Sequence, residues 1–171
     1  MYRELKREEK TILNRFFDKW DLFDYFKDKN LLIKEGKIRE IFLMTKDAKA
    51  LALRKDPHLA GIKLGEMRKQ VSLDLEGAQI FAQNTSKKKI VVTEQAEALV
   101  LYGRDIFGQS IIRHTNDFDE NEVVLITNRH GDAIGIGRTR YNSDKIQNQG
   151  VTVTNIADRG WYLREENKYE I

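Results

Sequence analysis

Five short apolar segments in the second half of the sequence constrain the fold more than any other feature. They are rich in β-branched residues, and Gly, Asn and Asp cluster between them, which is typical of strands joined by turns. The segments, in chain order, are KIVVT, SIIRHT, EVVLIT, AIGIGRTR and GVTVTNI. Five strands in about eighty residues, with such short connections, predict a small β-barrel or β-sandwich.

One helix interrupts this series of strands. The stretch TEQAEALVLYG follows the first strand, where Thr93 suits an N-cap and Gly103 suits the position after the helix end. We expect RDIFGQ to form a loop, NDFDEN a turn and ADRGWYLREE a final helical turn.

The first half of the chain mixes helical and strand patterns. Apolar residues at three- and four-residue spacing predict an amphipathic helix over residues 2–29, broken near Asp21, with an aromatic stripe that faces a core. Two apolar segments around Glu35-Gly36 predict a hairpin, and Thr45 is a plausible N-cap of a short helix. An extended stretch and a helix over residues 78–83 complete a mixed α+β unit.

The composition changes at AQNTSKKK, residues 82–89, which has the small polar residues of a linker. We therefore expect two domains, residues 1–85 and residues 86–171. The predicted fold class is α+β, in which an N-terminal mixed α/β domain is followed by a C-terminal small β-barrel.

Composition excludes several classes of function. The 171 residues include no cysteine, which removes disulfides, zinc–thiolate sites and cysteine nucleophiles and fits the reducing cytoplasm. There is no apolar run of transmembrane length, and the charged start MYRELKREEK is no secretory signal, so we expect no membrane partner. Residues 1–85 carry 18 Lys and Arg against 14 Asp and Glu, whereas residues 86–171 carry 12 against 13. A nucleic acid bound by the second half must therefore use a local basic patch.

No catalytic or cofactor site is evident in the sequence. GDAIGIGRTR, residues 131–140, lacks the third glycine, the lysine and the following helix of a nucleotide-binding loop. Its glycines are instead typical of a strand that another backbone approaches closely. His58, His114 and His130 lack metal-ligand spacing, and no Gly-x-Ser-x-Gly occurs. We therefore expect no metal, cofactor or small-molecule substrate, and a binding protein rather than an enzyme.

Two groups of basic residues are candidates for phosphate contacts. Arg138 and Arg140 lie two residues apart in a predicted strand, so their side chains project from one face and could reach neighbouring phosphates. The alternative is that they are exposed strand arginines paired with acids across the sheet. The lysines at 87–89 either form a solvated domain boundary or contact a nucleic-acid backbone.

Three pieces of the second half resemble, in their order and spacing, a PUA domain, the module named after pseudouridine synthase and archaeosine transglycosylase. They are the loop Gly103-Arg104-Asp105-Ile106, the apolar strand Glu122–Ile126, and Ile134–Gly137 after a turn. Together with ALVLYGRDIF, ADRGWYLREE and the GIKLG of the first domain, they make the chain similar to archaeal members of the Nip-seven group of large-subunit ribosome biogenesis factors. The resemblance implies a PUA-type barrel behind a pre-PUA domain.

The same resemblance implies a non-enzymatic, cytoplasmic RNA-binding factor in rRNA processing and large ribosomal subunit biogenesis. Its partners would be RNA, above all rRNA, and pre-ribosomal or RNA-processing proteins. The RNA face of PUA domains is built by the loop after the first helix and by adjoining strands. The implied RNA-binding residues are Gly103, Arg104, Asp105, Arg138, Arg140, Lys145 and Arg159. Archaeal members of the group place several basic residues before the last helical turn, and this sequence departs from that pattern by offering only Lys145 and Arg159 there. Basic residues of the first domain are therefore an alternative source of contacts.

Two other functions stay open at this point. The first is a protein–protein adaptor in a pre-ribosomal particle, docking through the aromatic-rich first domain with Trp20 and its phenylalanines. The second is an accessory part or a fragment of an RNA-modifying enzyme, because PUA domains accompany such catalysts.

Overall fold

The computed structural model describes residues 1–147 and 150–166, and for Leu163, Glu165 and Glu166 the backbone alone. It has the α+β class predicted from the sequence. The chain divides into two compact units, Met1–Thr85 and Ser86–Ile171. No helix in the described ranges is long and apolar enough to cross a lipid bilayer.

The first unit contains five strands and four helices. The strands are β1 (Tyr2–Arg3), β2 (Asn30–Lys34), β3 (Arg39–Met44), β4 (Ile62–Met67) and β5 (Val71–Leu73), and the helices are α1 (Arg7–Lys19), α2 (Phe23–Phe26), α3 (Lys46–Lys55) and α4 (Leu75–Asn84). The strands form an antiparallel sheet in chain order. The predicted hairpin is confirmed, since β2 pairs with β3 around Glu35-Gly36. Thr45 Oγ1 accepts a hydrogen bond from Ala48 N, which confirms Thr45 as the N-cap of α3.

The long helix predicted at the N-terminus is wrong at its start. Tyr2 and Arg3 form β1, which pairs with β2, and α1 begins only at Arg7. The Tyr2 ring packs edge-on against Phe42, with ring centroids 5.4 Å apart, and its hydroxyl accepts a hydrogen bond from Ala60 N. These contacts with residues distant in sequence outweigh the local helical periodicity, which is why the sequence pattern misled.

The aromatic stripe of α1 and α2 packs into a core, as predicted. Asp21, at φ 57°, separates the two helices. Phe17, Trp20 and Phe26 are each 3% exposed, and the ring centroid of Phe81 in α4 lies 5.5–6.2 Å from theirs. Phe17, Trp20 and Phe26 are therefore not available for docking, whereas Phe23 in α2 is 40% exposed.

Within its described residues, the second unit contains six strands and two α-helices. The strands are β6 (Lys89–Val92), β7 (Ile106–Phe107), β8 (Ile111–His114), β9 (Val123–Thr127), β10 (Ala133–Thr139) and β11 (Val151–Asp158), and the helices are α5 (Glu94–Leu101) and α6 (Trp161–Glu166). They form one sheet in the order β7-β11-β10-β9-β6-β8, in which β6 and β9 run parallel. The sheet curls into a near-closed barrel, which confirms the predicted small barrel.

The segment RDIFGQ, predicted as a loop, contributes the sixth strand. Ile106 and Phe107 form β7, which pairs with β11 through Ile106 and Val153. Two residues are too few to show an alternating pattern, so this strand left no periodic signal in the sequence. Strand β11 ends at Asp158, two residues beyond the end of the predicted strand GVTVTNI.

Gly135 and Gly137 in β10 allow β11 and the barrel core to approach closely, as predicted. A Cβ on Gly135 would lie 2.9 Å from Ala157 O, and a Cβ on Gly137 would clash with Val153 Cγ1. The register of β10 against β11 also shifts after Ile136. GDAIGIGRTR is therefore a turn and a strand, and not a nucleotide-binding loop.

Candidate nucleic-acid interface

The loop after α5 starts from a well-defined helix end. Gly103 has a φ of +79°, Gly103 N donates a hydrogen bond to Val100 O, and Arg104 N donates to Leu99 O. These bonds satisfy carbonyls that the end of a helix leaves open. A Cβ at Gly103 would also lie 3.2 Å from Arg164 Nη2. Both constraints favour glycine, so the exposed loop has a defined backbone course.

Asp105 is tied to the sheet by both of its carboxylate oxygens. Oδ1 accepts a hydrogen bond from Asn155 N at 2.9 Å, and Oδ2 accepts one from Arg140 Nη2 at 3.1 Å. Asn155 Nδ2 in turn donates to Val100 O at 3.1 Å and to Arg104 O at 3.3 Å. Strand β11 thereby holds the loop at several points, and Asp105 positions the loop.

A buried ion pair supports the same loop from α6. Asp158 is 4% exposed and accepts hydrogen bonds from Arg164 Nη1 and Nη2 at 2.8 and 3.0 Å. Arg164 also donates to Leu101 O at the end of α5. Two parallel bonds fix the guanidinium plane. Sequence reasoning missed this pair because a six-residue spacing across a strand end carries no pairing signal.

Arg138 and Arg140 are both exposed on one face, as their spacing predicts, but both are hydrogen-bonded within the protein. Arg138 Nη1 donates to Asn121 O at 2.8 Å. Arg140 Nε donates to Thr154 Oγ1 at 2.9 Å, and Arg140 forms the ion pair with Asp105. The alternative considered for these arginines, pairing with an acid across the sheet, therefore applies to Arg140. A guanidinium has five N–H donors, so each arginine keeps donors for a further ligand.

Among the described residues, Arg159 and Lys145 form no hydrogen bond with Arg104 or Asp105. Arg159 Nε donates to Ala133 O at 2.8 Å, at the start of β10. Arg140 follows the other end of that strand, about 20 Å away along its length. Lys145 is exposed in a single turn of 3₁₀ helix after β10. Of the predicted residues, the structure thus brings together Gly103, Arg104, Asp105 and Arg140.

An open depression of about 500 Å³ lies beside this loop, lined by Leu99, Gly103, Arg104, Asp105 and Phe107. Within the part of the chain that the structure describes, the Arg104 side chain forms no hydrogen bond or ion pair. Phe107 is 46% exposed and Leu99 is 50% exposed. Sequence reasoning missed both apolar residues, because an apolar residue that faces solvent looks the same in sequence as one in the core.

The depression combines a cationic side chain with an exposed aromatic ring. A guanidinium binds phosphate oxygens, and an aromatic ring stacks on an unpaired base. Recognition by stacking and base edges requires bases that are not already stacked in a duplex. The geometry therefore suits a single-stranded nucleic acid.

Two family models together cover most of the chain. The UPF0113 PUA domain matches residues 88–167, and the NIP7/UPF0113 pre-PUA domain matches residues 2–76. A UPF0113 protein of Archaeoglobus fulgidus is 35% identical over 171 residues, which cover 98% of this chain and 97% of that protein. A probable tRNA pseudouridine synthase B of Methanocaldococcus jannaschii is 30% identical over 82 residues, which cover 45% of this chain and 24% of that protein.

Similarity to a solved structure extends over the whole fold. A conserved PUA domain protein from Thermoplasma acidophilum matches with a TM-score of 0.72 at 13% sequence identity. The match covers 97% of this chain and 99% of that chain. The predicted PUA-type barrel behind a pre-PUA domain is thereby confirmed as the fold.

Proposed function

This chain belongs to the UPF0113 family of PUA-domain proteins, and on that basis we propose that it is a non-enzymatic RNA-binding protein. Membership in a PUA-domain family supports RNA as the ligand class. The observation that carries the proposal is the depression beside Gly103–Asp105, where Arg104 and Phe107 are both exposed.

Each residue of the depression has a separate task in this proposal. Arg104 contacts a backbone phosphate, and Phe107 stacks with a splayed base of a single strand. Asp105 keeps the loop in place through its bonds to Asn155 and Arg140. The phosphate contact positions the strand, and the stacked base gives selectivity.

We further propose that the ligand is rRNA and that the protein acts in rRNA processing and large-subunit biogenesis in the cytoplasm. The pairing of a pre-PUA unit with a PUA unit supports this role over that of an RNA-modifying enzyme. The match to the probable tRNA pseudouridine synthase covers only 24% of that enzyme. Crosslinking the protein to cellular RNA, followed by sequencing, tests the assignment. Enrichment of large-subunit rRNA supports it, and enrichment of tRNA alone contradicts it.

Arg104→Ala should weaken binding of a single-stranded RNA about tenfold, because a charge-assisted hydrogen bond contributes about 1.5 kcal/mol or more. Fluorescence anisotropy with a uridine-rich oligonucleotide and with a structured RNA measures the effect. The loss should be larger for the single strand, because a base-paired RNA offers no base to stack on Phe107 and is therefore not held in the depression beside Arg104.

The matched control is Arg129→Ala, which removes the same charge from an exposed position in the turn between β9 and β10. We expect this variant to bind RNA nearly as well as the wild type. Equal losses of RNA affinity in both variants would indicate that the RNA is attracted by the overall charge of the protein and not by a contact with Arg104. Unchanged binding by Arg104→Ala and by the Arg138→Ala/Arg140→Ala double variant would show that the RNA surface lies elsewhere.

A further inference from the structure

A second cavity lies on strands β6, β8 and β9 of the barrel unit. It has a volume of about 220 Å³, enough for several water molecules. Its lining includes Lys89, Arg113, His114, Thr115 and Thr127. It shares no lining residue with the depression beside Arg104, and no carboxylate is among the described residues that line it.

Two cationic side chains face this cavity together because of strand register. Val91 stands opposite Arg113 in the antiparallel β6–β8 pair, so Lys89, two residues before Val91, shares a sheet face with Arg113. Burial, and secondarily the charge of Arg113, lowers the pKa of Lys89. Within residues 1–147 and 150–166, the Arg113 guanidinium forms no hydrogen bond or ion pair. An anion between the two cations would offset their repulsion.

Carboxylates close in sequence are engaged elsewhere. Asp117 accepts a hydrogen bond from Lys88 N at 3.0 Å, and Glu122 accepts one from Lys88 Nζ at 2.9 Å. Asp132 follows Gly131, which borders the cavity, and its carboxylate lies 3.3 Å from Asn128 Nδ2. None of these three acids forms an ion pair with Arg113.

Thr115 adds an uncharged donor to the lining. His114 Nδ1 lies 2.9 Å from Thr115 O, so Nδ1 carries the proton and donates it to that carbonyl. The imidazole packs edge-on against Phe118, with ring centroids 6.0 Å apart. Thr115 Oγ1 accepts a hydrogen bond from Lys89 N, and its own proton is left to donate.

We propose that this cavity binds a phosphate group. Arg113 supplies two parallel N–H donors to the phosphate oxygens, and Lys89 supplies a second positive charge. The hydroxyl of Thr115 adds a neutral donor. The site uses neither Arg104 nor the loop around it, so it is a second anion site on the barrel unit and does not depend on the proposed RNA surface.

The test uses the isotope-labelled full chain, titrated with inorganic phosphate at constant ionic strength and followed by amide NMR. We expect saturable shifts confined to the amides around His114, Thr115 and Gly131. Arg113→Gln should weaken phosphate binding about tenfold, the loss expected for a charge-assisted bond. Arg54→Gln removes the same charge from an exposed site in α3 and should leave the affinity unchanged.

A 5′-hydroxyl oligoribonucleotide, whose phosphates are all diesters, distinguishes the sources of the phosphate group. Shifts at the same amides with both probes assign the site to an RNA backbone, and shifts with inorganic phosphate alone assign it to a free phosphate or a terminal monoester. Shifts that do not saturate, or that Arg113→Gln leaves unchanged, overturn the proposal. If Arg104→Ala abolishes RNA binding while inorganic phosphate still shifts the cavity amides, the two sites are independent.

Discussion

At the scale of single residues, Glu9 is the buried charge that holds the N-terminal segment of the first unit. It is 3% exposed, and its carboxylate accepts hydrogen bonds from Arg3 at 2.7 and 2.8 Å, from Arg39 at 2.8 Å and from Lys6 N at 2.9 Å. The hydrogen bonds from Arg3, opposed by burial and aided by Lys6 N and Arg39, lower the pKa of Glu9 to about 2. One acidic side chain thus joins α1 to β1 and β3.

Glu9→Gln should lower the free energy of unfolding by about 3 kcal/mol at neutral pH, because it leaves two arginines without their shared acid. The pKa of Glu9 in the folded protein lies below the ordinary value of 4.5. Its stabilisation is therefore complete above pH 4.5 and is lost as the pH falls towards 2. Urea denaturation across this pH range measures the effect.

Glu8→Gln is the control, since Glu8 is the exposed neighbour of Glu9 on the same helix. A surface change of this kind should alter the free energy of unfolding by less than about 0.5 kcal/mol. If Glu9→Gln lost stability between pH 4.5 and 2 as steeply as the wild type does, the acid dependence would belong to other carboxylates.

At the scale of elements, β11 connects the loop after α5 to α6. Its Asn155 bonds to Asp105 and to the carbonyls on either side of Gly103, and its last residue, Asp158, pairs with Arg164. The loop that carries Arg104 is therefore held by a strand and a helix whose described side chains do not line the depression.

Asp158→Asn should destabilise the protein by about 3 kcal/mol, because it removes one partner of a buried ion pair. Amide hydrogen exchange at residues 103–105 should become faster, and RNA affinity should fall although Asp158 is too buried to touch RNA. Asp144→Asn, which changes an exposed acid after β10, should alter neither property. Unchanged exchange in the loop would show that the ion pair does not hold it.

At the scale of the whole molecule, the positive charge is modest and unevenly placed. The net charge is +3, and the half of the chain that carries the proposed RNA surface has 12 basic against 13 acidic residues. A long-range field cannot provide much of the affinity under these conditions. Binding must therefore depend on a small number of local cations and on stacking.

The affinity for single-stranded RNA should accordingly depend weakly on salt. About three phosphate contacts give a slope of about −2 for log K against log salt concentration, and Arg104→Ala should reduce its magnitude by about 0.7. Anisotropy titrations at several KCl concentrations measure this slope. A slope steeper than about −5 would indicate a larger basic surface that includes the first unit.

The sequence alone predicted those features that depend on neighbours along the chain. The strand series, the caps at Thr93 and Thr45, the hairpin at Glu35-Gly36 and the close approach at Gly137 all follow from local spacing and backbone preference. The motif order from Gly103 onward also indicated the family. Each of these signals lies within a single element or between adjacent ones.

Only the tertiary structure decided which side chains meet. The β1 strand at Tyr2, the pairing of Asp105 with Arg140, and the shared face of Lys89 and Arg113 all depend on strands that are distant in sequence. Strand pairing within each of the two sheets sets these contacts. In the barrel, a shift in register between Ile136 and Gly137 also changes which residues of β10 and β11 stand opposite each other. The spacing of residues within one strand gives no information about the register of that strand against another. The sequence therefore indicated candidate cationic residues, and the fold determined which of them already have a hydrogen-bond partner within the protein.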